Sequence, residues 1–312
     1  MATNKSEHLQ QTLDTHKMSH VQDLMDKYIK KRDEVRDALI EKYAKEKATN
    51  PINSGSYAKH TAINTKFDID ICIPFKRKSF DTLSEMADDV WNYFQNEYED
   101  EELIKPVRKQ RVSTGLTFDI DGDEIDMDVV PGREINEDEY STTHDLKLYV
   151  RPKNGDPATE TKTNIKKHID HISGKNPERD IIKLLKVWKA EHSKRYKSFF
   201  VELITIRAFD DKGDATPTGL WPKLEMVMEF IRDNVLTIRL TDPANSNNIV
   251  SDTITIGRKN SLSNDMRNML KKIEEDSDNI KTYFPINDEF SDDDDGNGKG
   301  VGPTILTTQS FG

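Results

Sequence analysis

Residues 55–75 read GSYAKHTAINTKFDIDICIPF, and this stretch decides the fold. From Phe67 to Ile73 the residues alternate, with Phe67, Ile69, Ile71 and Ile73 interleaved by Asp68 and Asp70. Successive side chains of a strand point to opposite faces, so a strand over 66–75 puts both carboxylates on one face and the apolar residues on the other. Two carboxylates side by side on a strand repel each other, whereas a divalent cation between them reverses the sign of the interaction. On its own an Asp-x-Asp strand is better read as a solvated face. Its surroundings give it chemistry. Gly55-Ser56 stands twelve residues before Asp68, in a turn-rich cluster where backbone N–H groups and the Ser56 hydroxyl can approach a phosphate. Further on, EIDMDVVPGR (residues 124–133) adds Asp126 and Asp128 on a neighbouring strand. Three carboxylates from two adjacent strands suit two Mg²⁺ ions about 4 Å apart, an arrangement that activates an attacking hydroxyl and stabilises a leaving pyrophosphate.

Outward from this stretch, the pattern is mixed α/β first and helical afterwards. Helical spacing of Val21, Leu24, Met25, Tyr28, Val35, Ala38 and Leu39 predicts a long amphipathic helix over 21–43. Leu83, Met86, Ala87, Val90, Trp91 and Phe94 predict a second. Asp121-Gly122, a favoured two-residue turn, predicts a hairpin over 111–130. Beyond Pro157, helices are expected around 181–188, 199–209, 220–235 and 262–273. The last residues, 288–312, are rich in Asp and Gly without a core-forming period and are expected to form a flexible tail.

The chain has 312 residues, with 46 basic and 57 acidic side chains and a formal charge of −11. That balance argues against a protein built to grip duplex nucleic acid. The basic runs at 76–78, 105–111 and 147–153 read as solvated loops or strand edges. No stretch approaches the ~18 apolar residues of a membrane span, and the first twenty residues hold no apolar run of a secretory leader. A cytoplasmic protein without a membrane is expected. Cys72, the one cysteine, excludes an internal disulfide and a cysteine-based zinc site, and reads as a small buried hydrophobe. His168, His171 and His192 read as surface residues.

The order Gly-Ser, then Asp-x-Asp, then a later Asp on a neighbouring strand resembles the nucleotidyltransferase signature of the DNA polymerase β superfamily. Three further stretches narrow the resemblance. RDIIKLLKVWKAE (179–191) and KSFFVELITIRAF (197–209) resemble successive helices of 2′-5′ oligoadenylate synthetases and cyclic GMP–AMP synthase. LTDPANSNNIVSD (240–252) resembles their Asp-Pro…Asn-Asn turn. The set covers about residues 50 to 255 and is most similar to the bacterial CD-NTases, the cyclic GMP–AMP synthase/DncV-like nucleotidyltransferases of CBASS antiphage systems.

The resemblance implies an α+β fold: a polymerase β-like core with a mixed sheet and long N-terminal helix (1–160), a helical domain of oligoadenylate synthetase type (161–287), then the tail. The two lobes would enclose the active site in a cleft. It implies an enzyme that joins NTPs, ATP among them, into a cyclic di- or trinucleotide second messenger for antiviral defence, releasing pyrophosphate. A linear oligoadenylate synthetase and an RNA-directed nucleotidyltransferase are the alternatives. Asp68 and Asp70 would bind two Mg²⁺ ions, replaceable by Mn²⁺, and Asp128 would complete the site. Asp126 rivals Asp128, which the following Val-Val-Pro favours. Gly55 and Ser56 would hold the donor triphosphate, Lys183 a phosphate and Ser198 the triphosphate, while Phe199, often Tyr in relatives, would stack on a base. The product would activate an effector protein, and an E1/E2-like partner would conjugate Gly312. No stable nucleic-acid partner is expected.

Overall fold

The computed structural model describes residues 2–65, 67–153 and 155–291. Its centre is a mixed sheet built on two strands. β2 (Ile69–Phe75) is buried along its whole length and runs parallel to β5 (Asp123–Glu134), with Asp70 opposite Asp128. β1 (Ile52–Ser54) lies antiparallel to β2, with Ser54 opposite Asp70. On the other side of β5 come β4 (Thr114–Ile120) and β3 (Arg108–Lys109), both antiparallel. β6 (Leu146–Val150) pairs antiparallel with the last two residues of β5 and with β7 (Thr159–Thr163).

The expected hairpin is present. Asp121 and Gly122 join β4 to β5 with φ of 56° and 87°, the left-handed pair that matches the twist of the flanking strands. The strand expected over 66–75 begins at Ile69, so Asp68 sits at its mouth, before the ladder starts. α2 (Gln22–Lys42) and α4 (Leu83–Asn96) cover the apolar face, packing Leu24, Tyr28, Met86 and Phe94 against Phe67, Ile69, Ile71 and Ile73. Thr82 starts α4 with a capping box: its side chain accepts from the Glu85 N–H, and the Glu85 carboxylate accepts from the Thr82 N–H. α3 (Gly55–Ala58) is a single turn between β1 and β2. α5 (Tyr140–Thr143) precedes β6. Cys72, fully buried, faces Tyr140 and Leu146.

The second half is helical: α6 (Ile165–Ile172), α7 (Asn176–Glu191), α8 (Ser198–Lys212), α9 (Leu220–Asn234), α10 (Ile256–Glu275) and α11 (Asn279–Tyr283). Its own core gathers Leu184, Trp188, Phe200, Leu224, Met266 and Phe284. Both this core and the sheet core are made of buried apolar side chains, the setting in which side chains beside them hold fixed positions. α1 (Lys5–Thr15) joins the helical core through Leu9 and Leu13 rather than the sheet. A short hairpin, β8 (Thr241–Asp242) with β9 (Asn245–Ile249), carries the Asp-Pro…Asn-Asn turn. Asp288–Phe290 form a 3₁₀ turn, with Phe290 stacked on His20 at 5.0 Å. Residues 292–312 of the expected tail, including Gly312, lie outside the described residues. No helix among the described residues is long and apolar enough to cross a membrane.

Candidate active site

Parallel pairing of β2 with β5 brings Asp70 and Asp128 to adjacent positions, and both are almost fully buried. Asp68 stands half-buried two residues before Asp70. Neither carboxylate oxygen of Asp70 has a hydrogen-bond partner among the described residues. A buried carboxylate without donors is costly, and this one is crowded by like charge. Burial first, then Asp68 and Asp128, hold its pKa well above the ordinary 3.8, against the opposing pull of Lys59 and Lys186. Asp128 is pushed up to about 7 by burial and Asp68, although Gln110 Nε2 donates to its Oδ1 at 2.8 Å. Asp126, the rival ligand, is engaged elsewhere: Arg108 Nη2 lies 3.0 Å from its Oδ1, and Thr117 Oγ1 donates to the same oxygen at 2.5 Å.

Two glycines make this packing possible. Gly55 has φ of +71°, and a Cβ there would sit 1.6 Å from Asp70 Oδ2, so the turn presses its backbone against the carboxylate. Gly115 lies opposite Asp128 on β4, and a Cβ there would meet Gln110 Nε2 at 2.5 Å. Hard carboxylate oxygens, two of them buried without donors among the described residues, and mutual repulsion form a donor set that fits divalent cations. Asp68, Asp70 and Asp128 are the residues that could hold them. A second acidic group, Glu34, Asp100 and Glu102, is of a different kind, because Lys31 sits at its centre in ion pairs with all three.

Ser56 follows Gly55 on the same turn, half-buried. Ser198 opens α8, exposed, and Lys189 Nζ donates to its Oγ at 3.0 Å. Phe199, half-buried, meets the His168 ring edge at 5.1 Å, while Lys59 Nζ lies 5.2 Å from its centroid.

Lys183 goes elsewhere. With Asp180 on the same helix it lines a cavity of about 250 Å³ bounded by His16, Lys17, Tyr57 and His60, to which none of the three carboxylates contributes. One turn on, Lys186 donates from Nζ to the Thr61 carbonyl at 2.7 Å and hydroxyl at 3.1 Å, on the segment that follows the Gly55-Ser56 turn. Burial and Lys59 push the Lys186 ammonium down to about 7. The helical phase of α7 therefore turns Lys186 toward the carboxylates and Lys189 toward Ser198. His168 is a correction: it is mostly buried, with Nε2 2.7 Å from Asp242 Oδ1. His171 is also partly buried, and burial lowers its pKa.

No protein-family model matches the sequence, and no curated protein matches it in sequence. The fold is similar to solved structures. Against E. coli MS115-1 CdnC with ATP the TM-score is 0.67 at 17% identity, over 86% of this chain and 91% of that one. Against the Bradyrhizobium diazoefficiens CD-NTase CdnG in complex with GTP it is 0.68 at 12% identity, over 91% and 96%. Against Vibrio cholerae DncV cyclic AMP-GMP synthase it is 0.56 at 13% identity, over 75% and 68%. The chain thus has the CD-NTase fold.

Proposed function

We propose that this protein is a nucleotidyltransferase that joins NTPs into a cyclic oligonucleotide, with release of pyrophosphate. The observation that carries the reading is Asp70: buried, without hydrogen-bond donors among the described residues, in register with Asp128 and pressed by Gly55. A carboxylate in that state gains nothing structurally and everything from a cationic ligand. The CD-NTase fold, found in structures holding ATP and GTP, supports nucleotides as the substrate.

In this reading the nucleotides lie in a cleft between the sheet and the helical half. The donor triphosphate lies along the Gly55-Ser56 turn, met from the opposite side by Ser198 and Lys189. Lys186, bonded to Thr61, adds positive charge beside that path. Phe199 offers its ring to a base. Asp128, with Gln110 donating to one oxygen, receives the acceptor hydroxyl and its proton at the other. Asp68, Asp70 and Asp128 would hold Mg²⁺, which when bound supplies Lewis-acid stabilisation of the phosphate oxygens. The hydroxyl oxygen bonds to the α-phosphorus as the bond to pyrophosphate breaks, and a second such transfer closes the ring. Chemistry of this type depends mainly on positioning and charge neutralisation, which rigid strands and a glycine turn provide.

The test is pyrophosphate release from the four NTPs with Mg²⁺ or Mn²⁺. Release from the wild type, lost with EDTA and in Asp70→Asn, is expected. Folded wild-type protein that releases none under either metal would overturn the reading.

A further inference from the structure

The segment following the Gly55-Ser56 turn is tied to the helical half at three points. Lys59 Nζ donates to both carboxylate oxygens of Glu202, at 2.7 and 3.0 Å, and Glu202 is 2% exposed. The Lys59 carbonyl accepts from Arg179 Nε at 3.1 Å. Thr61 accepts from Lys186 at its carbonyl and hydroxyl. Glu202 sits one helical turn after Ser198 and Phe199 on α8, so its grip places the Lys59 ammonium against the Phe199 ring. A single side chain thereby connects the phosphate turn to the base platform.

Burying an ion pair is a poor way to stabilise a fold, because desolvation offsets most of the attraction. A two-oxygen grip on a long flexible side chain does fix its geometry. We propose that Lys59, locked by Glu202, is a positioning residue that makes recognition of the triphosphate and of the base one event. The proposal rests on the nucleotidyltransferase reading of the site. With the lock in place, the turn and Phe199 are set relative to each other before a nucleotide arrives. Without it, part of the binding energy must order them.

The experiment is calorimetric binding, with Mg²⁺, of the NTP held most tightly by the wild type, of its nucleoside and of tripolyphosphate. The variant is Glu202→Gln, which keeps the Lys59 charge but removes the opposing charge and one of the two accepting oxygens, so the two-oxygen grip is lost. The expected result is about tenfold weaker NTP binding, with nucleoside and tripolyphosphate within about twofold of wild type. Lys59→Met/Glu202→Gln, neutral at both positions, should show the same NTP loss and stands in if the single variant does not fold. An NTP affinity within about twofold of wild type overturns the proposal. So does an equal loss for all three ligands, which would mean general disorder of the site. Pyrophosphate release is read separately: a wild type that binds NTP but releases none sinks the enzymatic reading, and the binding comparison still judges the lock.

Discussion

Asp70 is buried beside two other carboxylates with no donor to its oxygens among the described residues, so its charged form is disfavoured in the folded state. Asp128 shares that environment, with a pKa of about 7 against an ordinary 3.8. Between those pH values the folded protein retains a proton that the unfolded chain releases, so stability falls as pH rises through that window. Metal-free protein should therefore have a lower Tm at pH 7 than at pH 5, below the range in which the lowered Lys186 ammonium gives the opposite slope, and Mg²⁺ should raise the Tm more at pH 7. Paired thermal melts at the two pH values, with EDTA and with Mg²⁺, check this. Asp70→Asn removes the repelled charge; it should raise the metal-free Tm at pH 7, abolish the Mg²⁺ effect and reduce pyrophosphate release at least about 10³-fold. Gly55→Ala places a methyl where Asp70 Oδ2 now sits, at a positive φ. It should lower stability by about 1–3 kcal/mol and abolish turnover, measured by denaturant melts and the same release assay.

At the scale of elements, α6 and the β8–β9 hairpin meet behind Phe199. Buried Asp242 accepts from His168, from the Ala244 N–H at 2.8 Å and from Asn248 Nδ2 at 3.0 Å. His168→Ala removes one of those donors and the ring edge that meets Phe199. It should cost about 1–3 kcal/mol and raise the NTP KM more than it lowers kcat, as denaturant melts and steady-state kinetics would show. Thr82→Ala, at the cap of α4 and remote from the site, should cost about 1 kcal/mol and leave KM unchanged. Elements whose local pattern and tertiary role agree were legible in sequence. β2 alternates, Asp121-Gly122 demands its hairpin, and α4 has both cap and stripe. α1 was not, because its buried face holds only Leu9 and Leu13 among polar residues. Lys183, Lys186 and Lys189 stand at i, i+3 and i+6, and helical spacing alone does not say which of them faces the carboxylates. Lys59 and Glu202 are 143 residues apart, and their pairing leaves no local signal at all. Gly115 looked like any strand glycine until its strand partner Asp128 and the reach of Gln110 were known.

Among the described residues the two largest cores are one of sheet and helices and one of helices, with α1 belonging to the second. Leu9→Ala should therefore cost about 2–5 kcal/mol, measured by denaturant melts, although it lies in the first turns of the chain. Against the acidic overall balance, Lys59 and Lys186 place positive charge beside Asp70, and Lys186 beside Asp68. That distribution suits a small polyanion bound with metal more than a long nucleic acid. The central claim is that this site closes a ring of nucleotides. Mass spectrometry of phosphatase-treated products, after incubation with all four NTPs and Mg²⁺ or Mn²⁺, tests it directly against an Asp68→Asn/Asp70→Asn control. A phosphatase-resistant product absent from the control is the predicted result, and its mass gives the bases and ring size together. Products that phosphatase degrades completely would contradict the claim and make the protein a linear synthetase.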